Sequence, residues 1–180
     1  MASTAHAWST VQIGNYNLER KPEETYSPLV EMEGDYNPMI AYGQSKTANI
    51  WMANEIERRF GADGLHGLSI HPGGILTAGW DKVDARVAKR LASLMKLEVF
   101  QKGLKSVEQG AATQILAAVG KDYEGKGGFY MDDCGISQLI PDDVPATSTG
   151  YRPWAYDPQG EKRLWSDSLE MVGLKDDQQG

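Results

Sequence analysis

Tyr42 and Lys46 stand four residues apart in Ala41-Tyr42-Gly43-Gln44-Ser45-Lys46, a stretch that opens a helical pattern. On a helix, side chains at i and i+4 share a face, one turn above the other. A phenol beside an ammonium makes a usable proton donor and acceptor. A free tyrosine titrates near 10, and a neighbouring positive charge favours its phenolate. Bringing such a group to neutrality takes about 3 pH units, or about 4 kcal/mol of differential stabilisation. One solvent-exposed lysine falls short of that, so a cofactor charge or a desolvated pocket has to contribute. Taken alone, the pair is also readable as a structural pair on a helix surface, because structural ion pairs shift pKa values too.

The surrounding text narrows the choice. Ser45 precedes the lysine and Ala48-Asn49-Ile50 follow it. Tyr42–Phe60 (YGQSKTANIWMANEIERRF) resembles the active-site helix of the short-chain dehydrogenases/reductases, most of all the retinol-dehydrogenase and WW-domain-oxidoreductase branch. His71-Pro72-Gly73-Gly74-Ile75-Leu76-Thr77 resembles that family's Pro-Gly motif after the next strand. The resemblance implies NAD or NADP as cofactor and an alcohol and a carbonyl as the interconverted pair. Carried over by position, Tyr42 is the general acid/base. Lys46 assists it and binds the nicotinamide ribose. Pro72, Gly73, Gly74 and Ile75 line the nicotinamide, and Thr77 contacts the carboxamide or the phosphates.

Met1–His6 (MASTAH) reads like the end of a strand entering a loop. In the resembling family, Ser-x-Ala-His follows the strand that ends in the catalytic serine, which places Ser3 in that role, steadying the substrate oxygen. Thirty-nine positions then separate Ser3 from Tyr42, more than the family uses, and Thr4 and Ser9 compete for the assignment. The family's Gly-rich phosphate loop, its first βαβ units and its catalytic asparagine find no counterpart. Neither Gly73-Gly74 nor Gly125–Gly128 matches G-x-G-x-x-G or T-G-x-x-x-G-x-G. The chain is therefore expected to be α/β, the C-terminal half of a Rossmann-like doubly wound parallel sheet, with the N-terminal cofactor-binding half missing. Without that loop the pyrophosphate lacks a helix N-terminus to sit on. This opens a second expectation, a non-catalytic remnant that does not bind the dinucleotide by itself.

Composition bounds the rest. A chain of 180 residues with 41% hydrophobic and 24% charged residues is one soluble domain's worth. The net charge of −7 and pI near 5.0 argue against nucleic acid or an anionic membrane as partner. Cys134 is the single cysteine, so an intrachain disulfide is excluded, in keeping with a reducing compartment. Neither a membrane-spanning run nor a secretory leader is visible, so the expected location is cytoplasmic. A small-molecule substrate and a homodimer through the 41–60 helix complete the expected partners.

The elements that must position these groups follow in order within one partial domain, 1–180. Residues 7–40 form a long polar loop with Pro22, Pro28, Gly34 and Pro38. Residues 41–77 hold the active-site helix, a strand over 65–71 and the Pro-Gly motif. Ala48, Met52, Ile56 and Phe60 mark the helix's apolar row. The substrate region, 79–105, shows a helical stripe at Val83, Val87, Leu91, Leu94 and Met95, suited to a lipophilic substrate or to core packing. Ser106 and Gln109 form a capping box for a helix to Val119, with Val107, Ala111, Ile115 and Val119 turned inward. Gly127–Asp133 reads as a last strand. Tyr151, Trp154 and Tyr156, in the aromatic loop 136–160, either cover the substrate or pack beneath the loop. Leu164, Trp165, Leu169 and Val172 give a final helix over 161–172 its apolar face. No metal site is expected: His6, His66 and His71 lack ligand spacing, and Asp132-Asp133-Cys134 reads as a solvated strand end, with Cys134 half-buried.

Overall fold

In the computed structural model, residues 1–22, 27, 30, 36–76, 82–141 and 149–176 are described. The longest element, α1 (Pro38–Phe60), organises the others. It starts three residues before the expected Ala41. Asn37 caps it, its side-chain oxygen accepting from Met39 N and Ile40 N at 2.9 and 3.2 Å. Pro38 then occupies the first turn, where its missing N–H costs nothing; it is a start signal here and not a loop residue.

The buried face of α1 also differs from expectation. Ile40, Gly43, Gln44, Thr47, Ile50, Trp51 and Asn54 are buried, whereas Ala48, Met52, Ile56 and Phe60 are only half-buried. Hydropathy misplaces the face because three of its members are polar and each finds a partner. Gln44 donates to Tyr16 O and accepts from Gln12 N. Thr47 Oγ1 donates to Ser9 O at 2.6 Å. Asn54 Nδ2 donates to Glu161 Oε1 at 2.7 Å. Partnered in this way, Gln44, Thr47 and the Asn54 amino group avoid the cost of an unmade buried hydrogen bond, about 2 kcal/mol each, whereas Asn54 Oδ1 stays without a partner among the described residues.

Three apolar clusters meet on α1. Met39 and Ile40 join Ala5, Ala7, Trp8, Leu18, Val30 and Leu94. Ile50 joins Ala2, Tyr130 and Ala155. Trp51 joins Val11 and Leu164. A buried ionic network then fastens the C-terminal end. Arg58 bridges Glu55 and Glu161, while Arg59 binds Glu55 at 2.6 Å and Asp176 at 2.7 Å. Glu161 lies on α5 (Pro158–Met171), which Asp157 caps with Pro158 in the first turn. This helix too begins three residues earlier than expected, for the same reason. Leu164 is buried, but Val172 lies past the helix end and is exposed, contrary to its expected place on the apolar face.

The sheet is small and mixed, which corrects the all-parallel expectation. β1 (Leu68–Ile70) pairs in parallel with β2 (Phe129–Asp132) in the register Leu68–Phe129, Ser69–Tyr130, Ile70–Met131. β2 returns through Asp133-Cys134 into β3 (Gly135–Ile136), antiparallel. Both turn residues take left-handed φ values, 45° and 61°, as a two-residue hairpin whose twist matches its strands demands. β1 and β2 are each shorter than the expected 65–71 and 127–133, and β3 is too short to show alternation. Gly67, just ahead of β1, is where strand and helix come closest: a Cβ there would overlap Ala53 O of α1. Gly67→Ala should therefore lower unfolding stability by about 1–3 kcal/mol in a urea melt, the usual cost of overpacking. An unchanged midpoint would show that β1 stands off the helix.

The described part of the 79–105 region, from Lys82 on, holds two helices where one was expected, α2 (Ala85–Leu94) and α3 (Glu98–Lys102); residues 79–81 lie outside the described residues. Val87, Leu91 and Leu94 pack against the Trp8–Ile40 cluster. Past Leu94 the chain turns, with Leu97 N donating to Leu94 O and the Leu97 side chain exposed. α4 (Val107–Val119) carries the expected capping box: Gln109 N donates to Ser106 Oγ, and Gln109 Oε1 accepts from Ser106 N. Its orientation is the reverse of the expected one. Val107, Ile115 and Val119 are 65, 60 and 74% exposed, and Ala111 is half-buried. Gly110 and Thr113 face the sheet instead: the Ile75 side chain lies where a Cβ on Gly110 would stand, and Thr113 Oγ1 accepts from Cys134 N at 3.0 Å. Among the described residues no helix is long and apolar enough to cross a membrane.

Candidate active site

The N-terminal segment is tied down on two sides. Ala2 N donates to Ile70 O at 2.9 Å, on the open edge of β1. Asn49 of α1, three residues on from Lys46, donates to Met1 O at 2.6 Å. Ser3, next in the chain, caps a 3-10 turn over Thr4–Trp8, its Oγ accepting from Ala5 N at 3.2 Å. This turn lies flat on α1 because Gly43 offers no side chain: a Cβ there would stand 3.0 Å from Ala5 O and 3.1 Å from Ser9 N. The second residue of the Tyr-x-x-x-Lys motif is thus what admits the Ser3 segment to the helix.

Tyr42 is 47% exposed, with its ring 6.1 Å from that of Trp8. Lys46 Nζ lies 5.1 Å from the Tyr42 ring centroid. A contact of this cation–π kind is worth about 0.5–1 kcal/mol at an exposed site. Of the two competitors for the serine's role, Ser9 is fully buried and engaged, donating to Thr10 O and accepting from Gln12 Nε2. Ser3 and Thr4 remain half-buried.

His6 fixes the Ser3 backbone, a role sequence reading missed. One ring nitrogen, Nδ1, meets Ser3 O at 2.7 Å, and Nε2 accepts from Arg152 N at 3.2 Å. That assigns a neutral ring with the proton on Nδ1. Burial, aided by nearby Arg152 and opposed by the Ser3 carbonyl, holds its pKa down at about 4. His71, after β1, is likewise pulled to about 4, first by burial and then by Lys105 and His6, with Asp133 opposing. Its Nδ1 is buried with no hydrogen-bond partner among the described residues.

Pro72–Ile75 is packed from the side of α4. Gly73 takes φ +94°, and the Lys105 side chain fills the space where its Cβ would stand. Gly74 O accepts from Lys105 N at 2.8 Å. Thr77 lies outside the described residues. The aromatic loop packs inward: Trp154 Nε1 donates to His6 O, Trp51 Nε1 donates to Trp154 O, and Tyr156 OH accepts from Tyr130 N. Of the two alternatives for Tyr151, Trp154 and Tyr156, packing beneath the loop holds. Asp132 is buried and not solvated, accepting from Ser137 Oγ and Gly150 N. Cys134, expected half-buried, is exposed. Among the described residues no three side chains form a metal-ligand cluster.

These groups test the fit of a nicotinamide cofactor. The accessible Tyr42 hydroxyl and the Lys46 ammonium are donors suited to the nicotinamide-ribose end. The Gly73 backbone is different: the Lys105 side chain occupies the space where its Cβ would stand. A cradle for the pyrophosphate is not found among the described residues.

Comparison with known proteins gives the lineage. No family model matches the chain. It is 45% identical over 176 residues to the short-chain dehydrogenase/reductase prx1 of Penicillium roqueforti, covering 98% of this chain and 46% of that protein. It is 38% identical over 177 residues to the oxidoreductase calI of Penicillium decumbens, covering 97% and 47%. The human WW domain-containing oxidoreductase matches at 30% over 130 residues, covering 72% and 30%. A crystal structure from Mycobacterium paratuberculosis aligns with 97% of this chain and 49% of that one, at 23% identity and TM-score 0.48. By descent the chain belongs to the short-chain dehydrogenases/reductases, in the branch that includes the WW domain-containing oxidoreductases. It spans about half the length of the curated relatives it matches.

Proposed function

We propose that this chain serves an oxidoreductase that interconverts an alcohol and a carbonyl on a lipophilic small molecule. The observation that carries this is the Tyr42–Lys46 pair, accessible on a helix anchored along its buried face, beside the tethered Ser3 segment. Tyr42 Oη gives or takes the hydroxyl proton of the substrate. Lys46 supplies a positive charge over the Tyr42 ring and a donor for the nicotinamide ribose. Ser3 Oγ, freed from Ala5 N, donates to the substrate oxygen. NAD or NADP, when bound, supplies or accepts the hydride. Pro72, Gly73, Gly74, Ile75 and Thr77 complete the nicotinamide side of the same reading, which also carries a cytoplasmic setting and a homodimer through the 41–60 helix.

A second reading is that the chain does not hold the dinucleotide by itself. The Lys105 side chain lying against Gly73 favours it. Titration of the chain with NADH and NADPH, following cofactor fluorescence, separates the two: saturable binding supports the enzyme, and none supports the second reading. Where turnover is measurable, Tyr42→Phe should lower kcat by about 10²- to 10⁴-fold, the usual contribution of a positioned acid/base. Its melting temperature should be unchanged, since the hydroxyl lies on an exposed side chain. Retained turnover would remove Tyr42 from the chemistry.

A further inference from the structure

The net charge of the chain hides a strongly uneven distribution. Residues 82–105 carry seven lysines and arginines against two carboxylates, a surplus of five positive charges, so the remainder of the chain stands at −12. The structure sorts these cations by face. On α2, Arg86, Lys89 and Arg90 recur with Ser93 at i, i+3, i+4 and i+7, one side of the helix. Val87, Leu91 and Leu94 take the other side and pack against Trp8, Met39 and Ile40. The basic side therefore points away from the core. Lys82 before α2 and Lys96 after it are also exposed. Two of the region's cations are matched locally, Arg86 by Asp84 and Lys102 by Glu98, and Lys105 pairs with Asp133 of the hairpin. Lys82, Lys89 and Lys96 lie between these pairs. Leu97 is 42% exposed among them, an apolar contact amid the positive charge.

We infer that this face of α2 and the following turn is a docking surface for an anionic phospholipid membrane. Clusters of four to eight cations on an amphipathic helix adsorb to negatively charged leaflets, each contributing in proportion to its approach to the surface. The acidic remainder does not prevent this, because repulsion beyond about 8–10 Å is screened at physiological salt. The same feature accounts for the choice of face: with −12 elsewhere, the charge favours approach to an anionic surface by this side. The placement has a purpose for the site. The inner side of α2 rests on the cluster containing Trp8, whose ring neighbours Tyr42. Adsorption would hold the Tyr42 end of α1 beside the lipid, where a lipophilic molecule is concentrated. The docking itself does not depend on the catalytic reading.

Co-sedimentation of the purified chain with vesicles tests this. One set would be phosphatidylcholine alone, the other phosphatidylcholine with about one third phosphatidylserine. Binding is expected only to the second set, at low ionic strength, and should weaken at least about tenfold in 0.5 M salt. The triple variant Lys82→Glu, Lys89→Glu, Lys96→Glu should bind at least about tenfold more weakly at the same melting temperature. Should that variant fail to fold, the salt dependence of the native chain decides alone. Equal binding to both vesicle sets, salt-independent binding, or no binding would overturn the assignment. So would equal affinity for a duplex DNA oligonucleotide, which would make the face a general polyanion site.

Discussion

Glu161→Ala should lower the free energy of unfolding by about 3–5 kcal/mol, the usual cost of removing one partner from a buried ion pair. Glu55 and Glu161 are each only 2% exposed, so neither carboxylate is solvated. Arg58 joins the two, and Asn54 donates to Glu161 as well. Without Glu161, the Arg58 guanidinium keeps only Glu55, and the Asn54 amide loses its carboxylate. Arg58 is 34% exposed along its side chain, so water recovers part of the loss and the effect should fall towards the lower end. The comparison is Glu98→Ala, which removes an i,i+4 pair whose side chains are 80 and 75% exposed. Such a pair contributes little in water, and its removal should leave the urea midpoint where it was. Equal effects for the two variants would mean that α5 is not held by the buried network.

Acid should loosen this fold well above the range in which carboxylates protonate. His6 and His71 are held neutral, each with its pKa lowered from 6.5 to about 4. The unfolded chain takes up protons on both below about pH 6.5, whereas the folded chain refuses them until about pH 4. Stability is therefore complete above pH 6.5, falls as the pH drops through this window and levels off, as far as these groups are concerned, below 4. Each histidine accounts for about 3 kcal/mol over the full interval. The urea midpoint measured between pH 7 and 4 should decline throughout, and His71→Gln, which takes no proton, should decline less steeply. An unchanged slope in that variant would show that His71 is not buried in neutral form.

How much of this was legible in the sequence depended on where each residue finds its partner. The Ser106–Gln109 box was readable because its partners lie three residues apart. The Tyr42–Lys46 pair was readable for the same reason, with one helical turn sufficient to join it. The face of α1 was not, because Gln44, Thr47 and Asn54 are buried against groups far along the chain and look like surface residues in isolation. His6 was missed in the same way: its partners are the Ser3 carbonyl and the Arg152 amide, backbone groups invisible in a side-chain pattern. The row Val107–Val119 failed differently. Its spacing was read correctly and its direction was not, since Gly110, a residue without apolar surface, decides which side meets the sheet. Expected parallel pairing failed at β3 because a two-residue strand carries no period.

The attachment of all three apolar clusters to α1 has a consequence for how the molecule comes apart. The first cluster uses Met39–Ile40 at the start of this helix, and the other two use the adjacent Ile50 and Trp51, which point to different neighbours. Fraying one stretch strips the helical hydrogen bonds that support the next, so no cluster can be surrendered while its neighbours persist. α4 rests on the rest of the chain by one side only, and can open while that helix stays intact. α2 is bound into the first cluster through Leu94 and goes with it. The chain therefore has a single cooperative spine with one detachable flank, the helix of the exposed valines and isoleucine.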